Sequence, residues 1–199
     1  VIEEPGAVPV EIVELLVSPV HAYEGRPHDG PRPDPDGTRP DAVEVRAGLG
    51  LVGDRYYGRA AHRRAAVTFF AAESLTEIAH ELGLAEVPDA GLTRRNVVLR
   101  GFPVDRLAAG RGTEGAIFSI DSGAGPVRFR AHRAANPCAW MDVVLAPGAF
   151  RAMRGRGGVR CEPLDDGVLR RGPAVLRVEA PPSGQPEPGQ WAASSQLRP

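Results

Sequence analysis

Glycine and proline punctuate this chain so densely that it has room for short strands and little else. Its 199 residues include 24 Gly and 20 Pro. Proline removes a backbone donor and breaks helix interiors, and it is excluded from the middle of a sheet. The runs between these breaks are mostly four to nine residues long, rich in Val, Ile and Leu, and partly alternating. That pattern predicts strands over 10–18, 42–46, 66–70, 96–100, 116–120, 127–131, 158–161, 167–170 and 174–179. Asp121-Ser-Gly-Ala-Gly-Pro joins 116–120 to 127–131 as a hairpin connection.

One segment reads as a good helix. Leu75, Ile78, Ala79 and Leu82 share a face over 73–82, and Gly83 is placed to end it. Shorter helical turns are expected over 104–107 and 147–154. Pro-rich Asp29-Gly-Pro-Arg-Pro-Asp-Pro-Asp-Gly-Thr-Arg-Pro40 is a long loop. Gly48, Gly50 and Gly53 fit a dinucleotide fingerprint only loosely, and no helix follows them, so that reading is rejected. The fold class expected is mainly β, a barrel with a few short helices. Residues 1–9 read as an N-terminal extension, 10–179 as one domain, and 180–199, with Trp191, as a polar tail predicted to be disordered.

Composition narrows the function. No apolar run approaches the ~18 residues of a membrane span. The first residues, Val1-Ile-Glu-Glu-Pro-Gly6, lack the pattern of a secretion signal, which argues for a cytoplasmic protein. Two cysteines do not make a disulfide framework, although a Cys138–Cys161 bridge is one alternative. All 24 basic residues are Arg, and the net charge of −1 argues against a general nucleic-acid binder. Without lysine there is no Schiff base for covalent pyridoxal-phosphate chemistry and no P-loop lysine. Compositional bias toward Ala, Gly, Pro and Arg explains the arginine total. It does not explain where the arginines cluster.

They cluster at His62-Arg63-Arg64, at Thr93-Arg94-Arg95-Asn96 and at Arg128/Arg130/Arg133. The first two groups stand immediately before predicted strands, where loops converge on ligands. Arginine grips phosphate and carboxylate in a bidentate manner, and Thr93 and Asn96 add neutral hydrogen-bonding groups. The plain alternative is solvated surface arginine. Cys138, in Arg133-Ala-Ala-Asn-Pro-Cys-Ala-Trp-Met-Asp142, has the surroundings of a thiolate that attacks electrophiles or ligates a soft metal. Its alternative is a small buried hydrophobe. His62 and His132 are candidates for acid–base work or a metal; Asp54 and Asp142 are carboxylates near the candidate loops, and Glu73 reads as helix N-terminal charge compensation. His132 is too far from Cys138 in sequence for a compact structural zinc site.

Taken in order, Gly50-Leu-Val-Gly-Asp-Arg55, Ala72-Glu-Ser-Leu75, Thr93-Arg-Arg-Asn-Val-Val98, the Cys138 segment and Gly157-Gly-Val159 resemble a MOSC domain, the domain named for the C-terminus of molybdenum cofactor sulfurase. The likeness runs from about Val10 to Glu179 and is to the short, stand-alone bacterial type. It implies a barrel of the pyruvate-kinase-barrel type holding a molybdenum-pterin cofactor, with Cys138 as protein ligand to the metal. It implies that Arg94 and Asn96 help hold the pterin and its phosphate. His62, Arg63 and Arg64 come from a loop that contacts cofactor in relatives, and Asn136 stands two before the Cys, where some relatives have Ser.

The reaction so implied is two-electron reduction of N-hydroxylated small molecules. His62 and Asp142 are the proton-relay candidates. Electrons would come from a separate donor protein, since no flavin, haem or iron–sulfur motif is visible. Two other readings use the same residues: sulfur handling, with Cys138 as persulfide carrier or nucleophile in carbon–sulfur chemistry, and a non-enzymatic cofactor carrier.

Overall fold

The computed structural model describes residues 6–183; Trp191 and most of the expected tail lie outside the described residues. Ten strands form: β1 (Ala7–Leu15), β2 (Ala42–Arg46), β3 (Gly50–Leu51), β4 (Val67–Ala71), β5 (Val97–Arg100), β6 (Ile117–Asp121), β7 (Pro126–Ala134), β8 (Val159–Pro163), β9 (Gly167–Arg170) and β10 (Gly172–Ala180). Seven close a barrel in the order β1-β10-β6-β7-β8-β4-β5, and β3-β2-β9 form a small sheet beside it. Three α-helices accompany them: α1 (Ala72–Glu81), α2 (Trp140–Val144) and α3 (Ala149–Ala152). This is the mainly-β barrel with a few short helices that the strand pattern predicts.

Period-two alternation fills the interior. On β7, Val127, Phe129 and Ala131 are buried and Arg128, Arg130 and His132 are not. On β8, Val159, Cys161 and Pro163 point in while Arg160 and Glu162 point out. Phe69, Phe118 and Phe129 meet at the centre with ring centroids 4.9–5.6 Å apart. Strand β4 is buried along its whole length, because its outer face carries a second apolar layer. There Phe70 and Val98 pack with Leu75 and Ile78 of α1, Trp140 and Met141 of α2, and Met153. Between β4 and β5 the pairing is parallel, with α1 in the crossover; every other barrel pairing is antiparallel.

The first strand begins at Ala7 and ends at Leu15, three residues earlier than the alternation suggests. Pro9 lies where β1 has a β10 partner, Val175, and no β5 partner, an edge-like position that tolerates a missing donor. Beyond Leu15 the chain stays buried through Ser18. The Pro-rich loop is fastened there: Thr38 bridges Val17, and Arg32 donates from its backbone to the Ala22 carbonyl.

Candidate functional site

Strand β7 delivers the chain to Cys138, and several contacts fix it on the way. The Ala135 amide donates to the Gly158 carbonyl at 2.8 Å. Trp140 and Met141 then anchor α2 in the outer apolar layer, and the Met141 amide donates to the Cys138 carbonyl at 3.0 Å. Anchoring its neighbours leaves Cys138 itself exposed. Gly157 and Gly158 permit this packing. A Cβ on Gly157 would collide with the Ala135 carbonyl oxygen, and one on Gly158, at φ 91°, with that of Phe69. Arg95 stitches the two segments together, donating through Nε to the Gly157 carbonyl at 3.0 Å and through Nη2 to Ala135 at 2.8 Å. Loss of hydration, then the nearby Arg160 charge, lowers the Arg95 pKa to about 10, against the pull of Cys138.

Cys138 faces a cavity of about 440 Å³. Its charged walls are Arg55, Arg94, Arg95, Arg133 and Arg160, and no carboxylate lines it. Two donors of Arg55, Nε and Nη1, are buried without a hydrogen-bond partner, the nearest acid being Asp54 Oδ2, 3.7 Å from Nη1. Burial and then the charge of Arg133 lower the Arg160 pKa, while Tyr56 and Cys138 act the other way. Aromatic faces complete the walls. Tyr56 stacks on His62 at 4.4 Å with Arg55 4.6 Å from its ring centre, and Tyr23 stacks on Trp140 at 5.4 Å. The Tyr23 hydroxyl donates to the Leu92 carbonyl at 2.5 Å, and burial pushes its pKa up to about 12.

Arg94 is the one non-glycine residue among those described with positive φ, 59°. That strained backbone sends its side chain back to the Pro-rich loop. There Nη1 donates to Asp34 Oδ2 at 2.6 Å and Nη2 to the Val20 carbonyl at 3.0 Å and to the Ser18 hydroxyl. Burial opposes ionisation of Asp34, but Ser18 and Arg94 more than compensate and hold its carboxyl below the ordinary range.

Of the residues singled out by sequence, Cys138, His62, Thr93, Arg94 and Asn136 share this one cavity. Asn96 lies under its floor. It accepts from the Thr68 amide at 3.0 Å and donates to the Leu16 carbonyl and Asp54 Oδ2. Arg63 points instead to Glu162, with Nε 2.6 Å from Oε1, and Arg64 lines a neighbouring cavity. Asp142 accepts from the Phe150 amide at 2.7 Å and ties α2 to α3. Arg95 and Arg133, from the arginine clusters, line the thiol cavity as well. Sequence reading missed Arg55, Arg160, Tyr23 and Tyr56 as site residues. Arg55 ends the Gly-Asp-Arg motif, and Arg160 holds the polar phase of an alternating strand, so both left a faint signal. Cys161 is fully buried and unbridged, its thiol pushed well up by burial. Among the described residues no three His, Cys, Asp or Glu side chains gather as a metal cage.

The chain matches no protein-family model and no curated protein sequence. Solved structures do resemble it. The crystal structure of YuaD protein from Bacillus subtilis superposes with a TM-score of 0.65 at 18% identity, covering 86% of this chain and 97% of that one. YiiM from Geobacillus stearothermophilus gives 0.55 at 19% identity, covering 85% and 74%. These likenesses establish the fold.

Proposed function

We propose that this chain is a MOSC-type barrel that holds a molybdenum-pterin cofactor and reduces N-oxygenated small molecules, with Cys138 as the protein's ligand to the metal. One observation carries the reading: the exposed thiol opens on a cavity whose five charged side chains are all arginines. A soft thiolate suits molybdenum beside dithiolene sulfurs. Arginines suit a pterin phosphate, and the unpartnered Arg55 donors are groups such an anion would satisfy. The Tyr56–His62 stack and the Tyr23–Trp140 stack offer flat faces to a planar ring. At about 440 Å³ the cavity is in the usual range for a small-molecule site.

When bound, the cofactor supplies a two-electron redox centre. The chain's own residues do the rest. Arg55, Arg133 and Arg160 bind anionic groups, Arg94 shapes the wall while its Nη groups hold Asp34, Ser18 and Val20, and Arg95 holds the Cys138 segment in place through Ala135. Thr93 and Asn136 add hydrogen-bonding groups at the wall, and Asn96 braces the floor beneath them. His62, on the wall, is assigned the proton relay. Asp142, occupied between α2 and α3, does not line the cavity. Electrons are assigned to a separate donor protein.

The same exposed thiol favours a second reading, in which Cys138 carries sulfane sulfur without metal. Metal analysis by mass spectrometry on protein from a host that makes the cofactor separates them, with Cys138→Ala beside it. Near-stoichiometric molybdenum that disappears in Cys138→Ala is the expected result. Metal-free protein bearing a sulfane-sulfur adduct on Cys138 would replace the first reading with the second. Turnover of an N-hydroxylated substrate with an artificial electron donor distinguishes a reductase from a carrier.

A further inference from the structure

A second and larger cavity, about 730 Å³, adjoins the first. Its floor is the outer face of the β7–β8 pair. Strand alternation puts Arg130 and His132 on that face of β7 and Glu162 on that of β8, with Arg130 and Glu162 in register. Arg160, two residues before Glu162 and on the same face, lines the thiol cavity, so one strand surface underlies both spaces. The 3-10 turn Ala60–Ala65 brings Arg64 and His62 against it. A register shift between Ala131 and Ala134 interrupts the alternation at Arg133. Bulges re-aim side chains. Arg133 is exposed rather than turned into the core, and with His62 and Ala65 it lines both cavities.

Three arginines and two carboxylates, Glu114 and Glu162, line this second cavity, and their charges are not matched pair by pair. Glu162 is already engaged, by Arg63 at 2.6 Å and by His132 Nε2 at 3.4 Å. Arg130 has only a loose partner, Glu114 at 3.8 Å, whose side chain is 85% exposed. Neither Arg64 nor Arg133 has a carboxylate within ion-pair reach among the described residues. Three guanidinium groups thus line a space with no acid committed to two of them, which is the donor set of an anion site.

We infer that this cavity is an anion-binding compartment for the substrate: Arg64, Arg130 and Arg133 hold the phosphate or carboxylate of a small molecule whose other end reaches past His62 toward Cys138. The inference rests on the proposed function only in making the thiol cavity the place of reaction. The anion site is tested without it.

Calorimetric titration of the full chain with inorganic phosphate, and separately with succinate, reads the site directly. With the thiol cavity occupied by the proposed cofactor, one class of phosphate site is expected, in the second cavity. Arg64→Gln with Arg130→Gln should weaken it about tenfold or more, whereas Arg160→Gln, on the wall of the thiol cavity, should leave it within about twofold of wild type. Binding of phosphate alone assigns phosphorylated substrates, and binding of succinate alone assigns carboxylates. The inference is overturned if neither anion binds, or if the Arg64→Gln/Arg130→Gln protein, folded by circular dichroism, titrates like wild type. Absence of molybdenum in the purified protein would remove the proposed function and leave this outcome standing on its own.

Discussion

The two cysteines divide the labour of a thiol by environment alone. Cys138 is exposed at the end of an anchored segment; Cys161 sits in the barrel core, its Sγ making one weak contact among the described residues, 4.0 Å to the Val159 carbonyl. Burial drives the Cys161 thiol pKa far up, which makes it a small hydrophobe rather than a nucleophile. Cys161→Ser should place a hydroxyl where no good acceptor waits. It should lower stability by about 1–3 kcal/mol, read as a shift in the urea midpoint, and, on the proposed function, leave molybdenum content unchanged. The distinction was legible in sequence, because Cys161 falls on the inward phase of an alternating strand and Cys138 falls in none. The arginines were harder to sort. Arg94 and Arg95 are adjacent, yet the left-handed backbone at Arg94 sends one to the Pro-rich loop and keeps the other beneath the Cys138 segment.

Elements defined by neighbouring residues were the most readable. Helix α1 ends as its sequence predicts: Gly83 donates to His80 and Leu84 to Ala79, the paired bonds of a Schellman cap. Helix α2 and the turn over Ala60–Ala65 were not foreseen, since packing against other parts of the chain holds them rather than any local periodicity. The Gly157-Gly158 corner joins the two kinds of information. Its glycines are plain in sequence, but their reason is two carbonyls, of Ala135 and Phe69, that approach from distant strands. Asp105 Oδ1 also accepts from the Gly158 amide at 2.7 Å. Gly158→Ala should therefore combine an unfavourable φ with a backbone collision, destabilising the chain by on the order of 2–4 kcal/mol. Thermal melting checks the loss. On the proposed function, molybdenum retention should fall with it, because the same corner positions Ala135 before Cys138.

At the scale of the molecule, short strands foretold a barrel, but not how it closes, because closure joins segments remote in sequence. The Pro-rich loop illustrates the same limit. Read as a featureless connection, it is latched to the site by Asp34 on Arg94 and by Arg39 on Asp89 at 2.6–2.8 Å. With its folded pKa held below the ordinary 3.8, Asp34 stabilises the latch above that pH, and the contribution fades as pH falls through the lower folded value. Asp34→Ala should release the loop at neutral pH. Hydrogen exchange should speed up over residues 19–39 while the barrel strands keep their protection; equal loosening throughout would mean the latch holds the barrel itself. Finally, β1 has β10 on one side and β5 on the other. On a ribosome, β1 must wait for β10 to emerge before its hydrogen bonds are complete. Barrel closure therefore waits on a pairing between strands remote in sequence, the slow kind of contact to form.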